Sequence, residues 1–212
     1  MEKLNIQFIK SKEKIAKLFR NKHSKTDSNS RLPPGQYLTE KFPVLDLGIQ
    51  PEFDMKTWKL EVFGEVKENK IFSWQEILNI PQTYMTKDFN CVTKWSKYNV
   101  KWTGVIWKDF LRYIKVKTTA KAVMFYGADG YSVNNLLEDI ENDTTLLAYE
   151  LEGKPIPREH GWPLRVIIPS LYAWKGSKFL NKIEFMKENR PGFWEVRGYH
   201  IRGNAKLEER YS

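Results

Sequence analysis

Apolar and polar residues alternate along Trp58-Lys59-Leu60-Glu61-Val62, which predicts a half-buried strand closed by Gly64. The period then changes. Ser73-Trp74-Gln75-Glu76 has capping-box spacing ahead of Ile77 and Leu78, so a short helix starts there and Pro81 stops it. Tyr84 to Val92 predicts a strand that delivers Cys91 at or near its end. Trp107, Phe110, Leu111 and Ile114 form a helical stripe, and Ala122 to Tyr126 reads as a buried strand with Asp129-Gly130 as the turn behind it. Tyr131 and Val133 begin the return, and Leu136 to Ile140 fits one helical turn. Leu146 to Leu151, Arg165 to Pro169 and Lys182 to Phe185 predict three more strands. Strands and short helices mix without regular βαβ spacing or internal repeat, so the class is α+β.

Ahead of this pattern, Ile15, Leu18 and Phe19 fall at helical spacing among lysines, a short basic amphipathic helix. His23 to Ser30 is polar and reads as a flexible linker, and Leu32-Pro33-Pro34-Gly35 marks where the domain begins. The division is a basic extension over 1–31 and one domain over 32–212, long enough for a real core. For the extension, a solvated tail or a helix packed on the domain is the favoured reading; a surface-docking arm is the alternative.

Charge changes this picture little. The chain carries a net +9, of which +6 lies in residues 1–31, so the domain itself is only mildly basic and no nucleic-acid partner is expected. One cysteine excludes an internal disulfide, and no N-terminal apolar run is long enough for a signal peptide or transmembrane segment. A cytoplasmic location is the expectation.

Two stretches carry candidate chemistry. A lone cysteine such as Cys91 is commonly a small buried hydrophobe. As a nucleophile it would need a base, and only His23, His160 and His200 exist; as a zinc site it would want about four ligands. One soft thiolate bond to a metal already held by a cofactor fits this inventory best. The loop from Glu152 to Arg165 is stiffened by Pro155, Pro157 and Pro163 and presents Arg158, His160 and Arg165, suited to an oxyanion or phosphate; a solvated charged loop is the other reading. Read alone, Tyr131 is simply a strand residue after a turn.

Cys91-Val92-Thr93-x-Trp95-Ser96, then Trp102-Thr103-Gly104-Val105, resembles the molybdopterin-binding catalytic domain of the sulfite oxidase superfamily. Ala148-Tyr149-Glu150, Gly153-x-Pro155-x-Pro157-Arg158 and His160-Gly161-x-Pro163-x-Arg165 follow in the same order as in that family. The similarity is closest to its single-domain prokaryotic oxidoreductases and runs from about residue 32 to the C-terminus.

The resemblance implies a mixed-sheet sulfite oxidase (SUOX) fold and an enzyme that moves an oxygen atom to or from a small oxyanion or sulfoxide-type substrate. Cys91 would ligate molybdenum held by a molybdopterin dithiolene, with tungsten as the alternative metal. His160, Arg165 and Lys175 would bind the pterin's terminal phosphate, assisted by Ala173 and Trp174. Phe42, Gly127 and Ala128 would line the pterin, and Tyr131 would stand near the metal-oxo group. No haem or flavin motif is visible, so electrons would pass through a separate protein or carrier. Three departures stand out: Lys94 where close relatives usually have Gly, Asn90 where many have His, and no arginine-rich segment after Cys91. Cofactor binding follows from the resemblance; sulfite as the substrate does not. Two rival readings are a non-catalytic basic module for an anionic partner and a thiol hydrolase using Cys91 with His160 or His200.

Overall fold

The structure, a computed structural model, describes residues 3–20 and 30–212. Two mixed sheets share one hydrophobic core. In the first, β1 (Tyr37–Leu38) runs parallel to the start of the long β5 (Trp95–Ile106), and β4 (Thr83–Asn90) pairs antiparallel along the other edge of β5. The far half of β5 continues onto β8 (Leu146–Leu151), which is flanked by the short β9 (Lys154–Pro155) and by β10 (Arg165–Ile167). The second sheet has the order β3 (Lys70–Ser73), β2 (Lys59–Gly64), β11 (Leu180–Met186), β6 (Ala122–Gly127), β7 (Ser132–Leu136). Its centre is a parallel pair, β2 beside β11, which joins an early strand to the last one.

Local chemistry explains most element ends. Ser73 caps α2 (Trp74–Leu78) in a complete capping box with Glu76, as its spacing predicts. α3 (Trp107–Leu111) follows β5 directly, and its Trp107 plugs the gap between the sheets, stacked on Phe185 at 5.9 Å and edge-on to Phe125 at 5.4 Å. The turn expected at 136–140 is α4 (Leu137–Ile140). β4 ends one residue before Cys91, as its pattern implies.

β5 is the element that the pattern conceals. It is twelve residues long, but Asn99 takes a positive φ of 54° and the register to β8 shifts at Thr103/Gly104, so no clean alternation survives. Gly104 is required there, because a Cβ would collide with the Leu147 carbonyl oxygen.

The N-terminal helix, α1 (Ile6–Leu18), is packed on the domain, but on a different face from the one its stripe implies. Ile9 and Ala16 are buried, whereas Leu18 and Phe19 remain 59% and 42% exposed. The reason is close approach: Ala16 lies against Gly198, where a larger side chain would hold the helix away. Through residue 29, the linker read at 23–30 lies outside the described residues. Among the described residues, no helix is long and apolar enough to cross a membrane.

Replacing Gly104 with Ala should destabilise the protein by about 1–3 kcal/mol through overpacking at the β5–β8 bulge, read as a lower urea midpoint. An unchanged midpoint would show that the bulge relaxes freely.

Candidate active site

Cys91 sits in a tight turn between β4 and β5. Its backbone N–H donates to the Trp95 carbonyl (2.9 Å), and its own carbonyl accepts from Lys94 N–H (3.1 Å) and from the Gln36 amide (2.9 Å). Lys94 closes this turn with φ 75°, the left-handed region that glycine enters without strain. That accounts for the glycine expected of close relatives at this position; here a lysine takes the same conformation. Asn90, the second departure, accepts a 2.7 Å hydrogen bond from the Ser96 hydroxyl across the β4–β5 pair, a structural task. The Cys91 sulfur lies 3.1 Å from the Thr93 hydroxyl, and burial pushes its thiol pKa up.

Cys91 lines a cleft of about 840 Å³, open to solvent on one side. Its walls are aromatic. Phe42 packs on the His160 ring at 4.6 Å and edge-on to Phe89 at 4.9 Å; Trp174, Trp194, Tyr199 and Tyr131 complete the lining.

The charged part of the cleft comes from the proline-stiffened loop and β10. His160 ends a single 3-10 turn, and Gly161 follows with φ 110°. A side chain at Gly161 would come within 2.9 Å of the Lys178 Cβ, so this glycine lets Lys178 lie alongside the loop and donate to the Glu159 carbonyl at 2.6 Å. Arg165 opens β10 and points inward, 3% exposed, with the faces of Phe89 and Trp102 at 5.5 and 5.4 Å. One of its terminal nitrogens donates to the His160 carbonyl (2.7 Å), while its Nε is buried without a partner.

Burial pulls the Arg165 pKa down to about 10. Burial and the Arg165 charge pull Lys178 to about 8, and burial with both cations pulls His160 to about 4. The single acid buried in this lining is Asp129, which burial pushes up to about 6.

Several expected site residues meet here: Cys91, Phe42, Tyr131, His160, Arg165, Ala173 and Trp174 all line the cleft. Others do not. Lys175 is fully buried behind the wall, its ammonium bound to Glu195 (2.7 Å), Asn134 (3.2 Å) and the Ile201 carbonyl (2.8 Å). A buried ammonium must be paired, and Glu195 from the closing segment satisfies it away from the cleft. Lys178, three residues on and unremarked in the sequence, takes the position in the cleft.

Gly127 and Ala128 back the wall rather than line it. At Gly127 a Cβ would lie 2.5 Å from both the Lys178 carbonyl and the Asp129 carboxylate, and Ala128 N–H donates to Phe179. Tyr131 lines the cleft, but its hydroxyl donates to the Trp174 carbonyl at 2.6 Å. Arg158 turns outward to Glu52.

Two features fit a pterin cofactor. The aromatic walls suit a flat heterocycle, and a buried guanidinium that pairs with no carboxylate among the described residues wants an anion.

The solved sulfane dehydrogenase SoxCD from Paracoccus pantotrophus has a similar fold, with TM-score 0.61 and 19% identity, over 68% of this chain and 41% of that one. The architecture is thus the mixed-sheet α+β fold of sulfite-oxidase-like proteins. Residues 47–194 match the family described as "Oxidoreductase molybdopterin binding domain", and the chain belongs to it. It is 39% identical to the uncharacterized oxidoreductase YuiH of Bacillus subtilis (strain 168), over 92% of this chain and 99% of that protein. It is 28% identical to the putative protein-methionine-sulfoxide reductase subunit YedZ1 of Azospira oryzae and 27% identical to the catalytic subunit MsrP of Campylobacter jejuni. These matches cover 73% and 76% of the chain but only 58% and 59% of those two relatives. The protein is a molybdopterin-dependent oxidoreductase of the sulfite oxidase type.

The two perturbed groups give stability slopes of opposite sign. Between about pH 4 and 6.5 the unfolded chain protonates His160 while the folded chain does not, so stability falls as pH falls. Between 3.8 and about 6 the folded chain keeps a proton on Asp129 that the unfolded chain has lost, so stability falls as pH rises. Asp129→Asn removes the second slope, and its urea midpoint should climb more steeply from pH 4 to 6 than that of the native protein. Equal slopes would show that Asp129 titrates normally.

Proposed function

We propose that Cys91 supplies the thiolate ligand of a molybdenum or tungsten centre on the bound molybdopterin, and that the substrate is a small sulfoxide or oxyanion. The observation that carries this reading is the buried Arg165 guanidinium, whose Nε has no hydrogen-bond partner, in the same cleft as the chain's only cysteine. A molybdopterin bound there would meet both of its needs, a phosphate site and a soft protein ligand.

In this reading Arg165, Lys178 and His160 hold the terminal phosphate. The two cations supply charge, and the imidazole, held neutral by burial and by its cationic neighbours, supplies one N–H. Phe42 and Trp174 flank the ring system. Tyr131 gives its proton to the Trp174 carbonyl, so it fixes that wall and offers a ligand only its lone pairs.

When bound, the cofactor supplies oxygen-atom transfer coupled to two electrons; a sulfoxide that takes up two protons and two electrons gives a thioether and water. The relatives named as protein-methionine-sulfoxide reductase subunits support the sulfoxide class. The electrons come from a separate redox protein or carrier. The chain's own contribution is to hold the cofactor, exclude water with aromatic walls and deliver a thiolate.

Elemental analysis with pterin fluorescence, on protein from a host that makes the cofactor, should find one metal and one pterin per chain. Cys91→Ala should keep the fold and lose turnover by several orders of magnitude; a fully active variant would overturn the ligand assignment. Arg165→Ala should lower pterin content well below one per chain, because it removes the buried counter-charge of the phosphate. Stoichiometric pterin in that variant would overturn the phosphate assignment.

A further inference from the structure

α1 lies outside the family match at 47–194, yet it forms part of the cleft. Phe8 and Lys12 line the same cavity as Cys91, Thr93, Trp194 and Tyr199. The helix is held there at both ends and along its length. Asn5 N–H donates to the Leu47 carbonyl at 2.7 Å, and the Phe8 ring packs edge-on to Trp194 at 6.3 Å. Glu13 pairs with Arg197 at 2.9 Å, and Ala16 is buried against Gly198. Positions 8, 12 and 16 fall on one helical face, so the anchors at Phe8 and Ala16 turn Lys12 to the cleft between them.

Of the other cations lining the cleft, Arg165 and Lys178 face the phosphate in the proposed function. Arg210 donates to the Val92 and Pro34 carbonyls at 2.7 and 2.8 Å and pairs with Glu208. Lys94 lies outside the cleft lining, over the Phe19 ring. Among the described residues Lys12 pairs with no carboxylate; its recorded neighbour is the Phe8 ring, 5.3 Å from the ammonium. Its charge also acts on the Cys91 thiol.

We propose that α1 is a wall of the active site and that Lys12 is a specificity-determining residue that selects negatively charged substrates. The inference rests on the reading that the reaction takes place at Cys91. An uncommitted ammonium beside the reacting centre attracts a carboxylate- or oxyanion-bearing substrate and repels a cationic one, and the aromatic surroundings strengthen that discrimination by lowering the local dielectric.

The test compares two sulfoxides of similar size on the holoenzyme, anionic (methylsulfinyl)acetate and neutral dimethyl sulfoxide. In Lys12→Gln the ratio of kcat/KM for the anion over the neutral compound should fall about tenfold, the usual scale for losing one charge-assisted contact. Lys12→Arg should restore the ratio and Lys12→Glu should lower it further. A second readout is sulfate binding to the holoenzyme, followed by tryptophan fluorescence, which should weaken by a similar factor in Lys12→Gln, weaken at least as much in Lys12→Glu and stay near native in Lys12→Arg. An unchanged ratio and unchanged sulfate binding, with metal and pterin still stoichiometric, would overturn the role of Lys12 while leaving the proposed function intact. Activity in Cys91→Ala would instead overturn the underlying reading, and sulfate binding would still decide whether Lys12 is an anion site.

Discussion

Arg165 carries its charge into the interior with only the His160 carbonyl, two aromatic faces and an unpartnered Nε to receive it. A buried charge without a counter-ion is destabilising, and a fold keeps one when something outside the chain supplies the opposite charge. The surroundings follow from this. The loop prolines fix the backbone, Gly161 admits Lys178, and the His160 imidazole is kept neutral by burial and by the cations around it. In the proposed function the same arrangement would let a phosphate anchor the cofactor in the cleft that also holds Cys91.

The two lysines at 175 and 178 show how the chain separates structural from functional charge. Lys175 is sealed against Glu195, Asn134 and Ile201, and Glu195 also accepts from the Trp174 indole at 3.0 Å. Trp174 in turn receives the Tyr131 hydroxyl on its carbonyl. One buried ion pair therefore ties the closing segment to two residues of the cleft wall, which fixes geometry rather than binding a ligand. Lys178, with its pKa drawn down to about 8, lines the cleft and donates to the Glu159 carbonyl at 2.6 Å; in the proposed function it also faces the phosphate.

Much of this was legible in the sequence where a local rule decides the outcome. The capping box at Ser73, the strand ending at Cys91 and the strand from Leu146 to Leu151 rest on period and punctuation, and each appears as read. β5 was not legible, because its bulge at Gly104 and the positive φ at Asn99 break the alternation that marks a strand. The choice between Lys175 and Lys178 depends on a partner twenty residues away in the chain, Glu195, whose approach only tertiary packing sets. The face of α1 was hidden for the same reason. Its contact is made by a small residue, Ala16, against a glycine, and neither adds to an apolar stripe.

Cys91 itself discriminates between thiolate chemistries. A hydrolytic thiol needs an imidazole within hydrogen-bond reach, poised to take its proton. The recorded partner of the Cys91 sulfur is the Thr93 hydroxyl, the His160 ring packs on Phe42, and the Nδ1 of His200 accepts from the backbone of Arg202 and Gly203 at 3.3 and 3.2 Å. Burial moreover raises the thiol pKa, the reverse of what a nucleophile requires. A metal resolves that difficulty where a base cannot. In the proposed function Cys91 would be held as a thiolate by the metal's charge, and its proton would be released on binding. The burial that disfavours Cys91 as a nucleophile is thus compatible with the ligand role proposed for it.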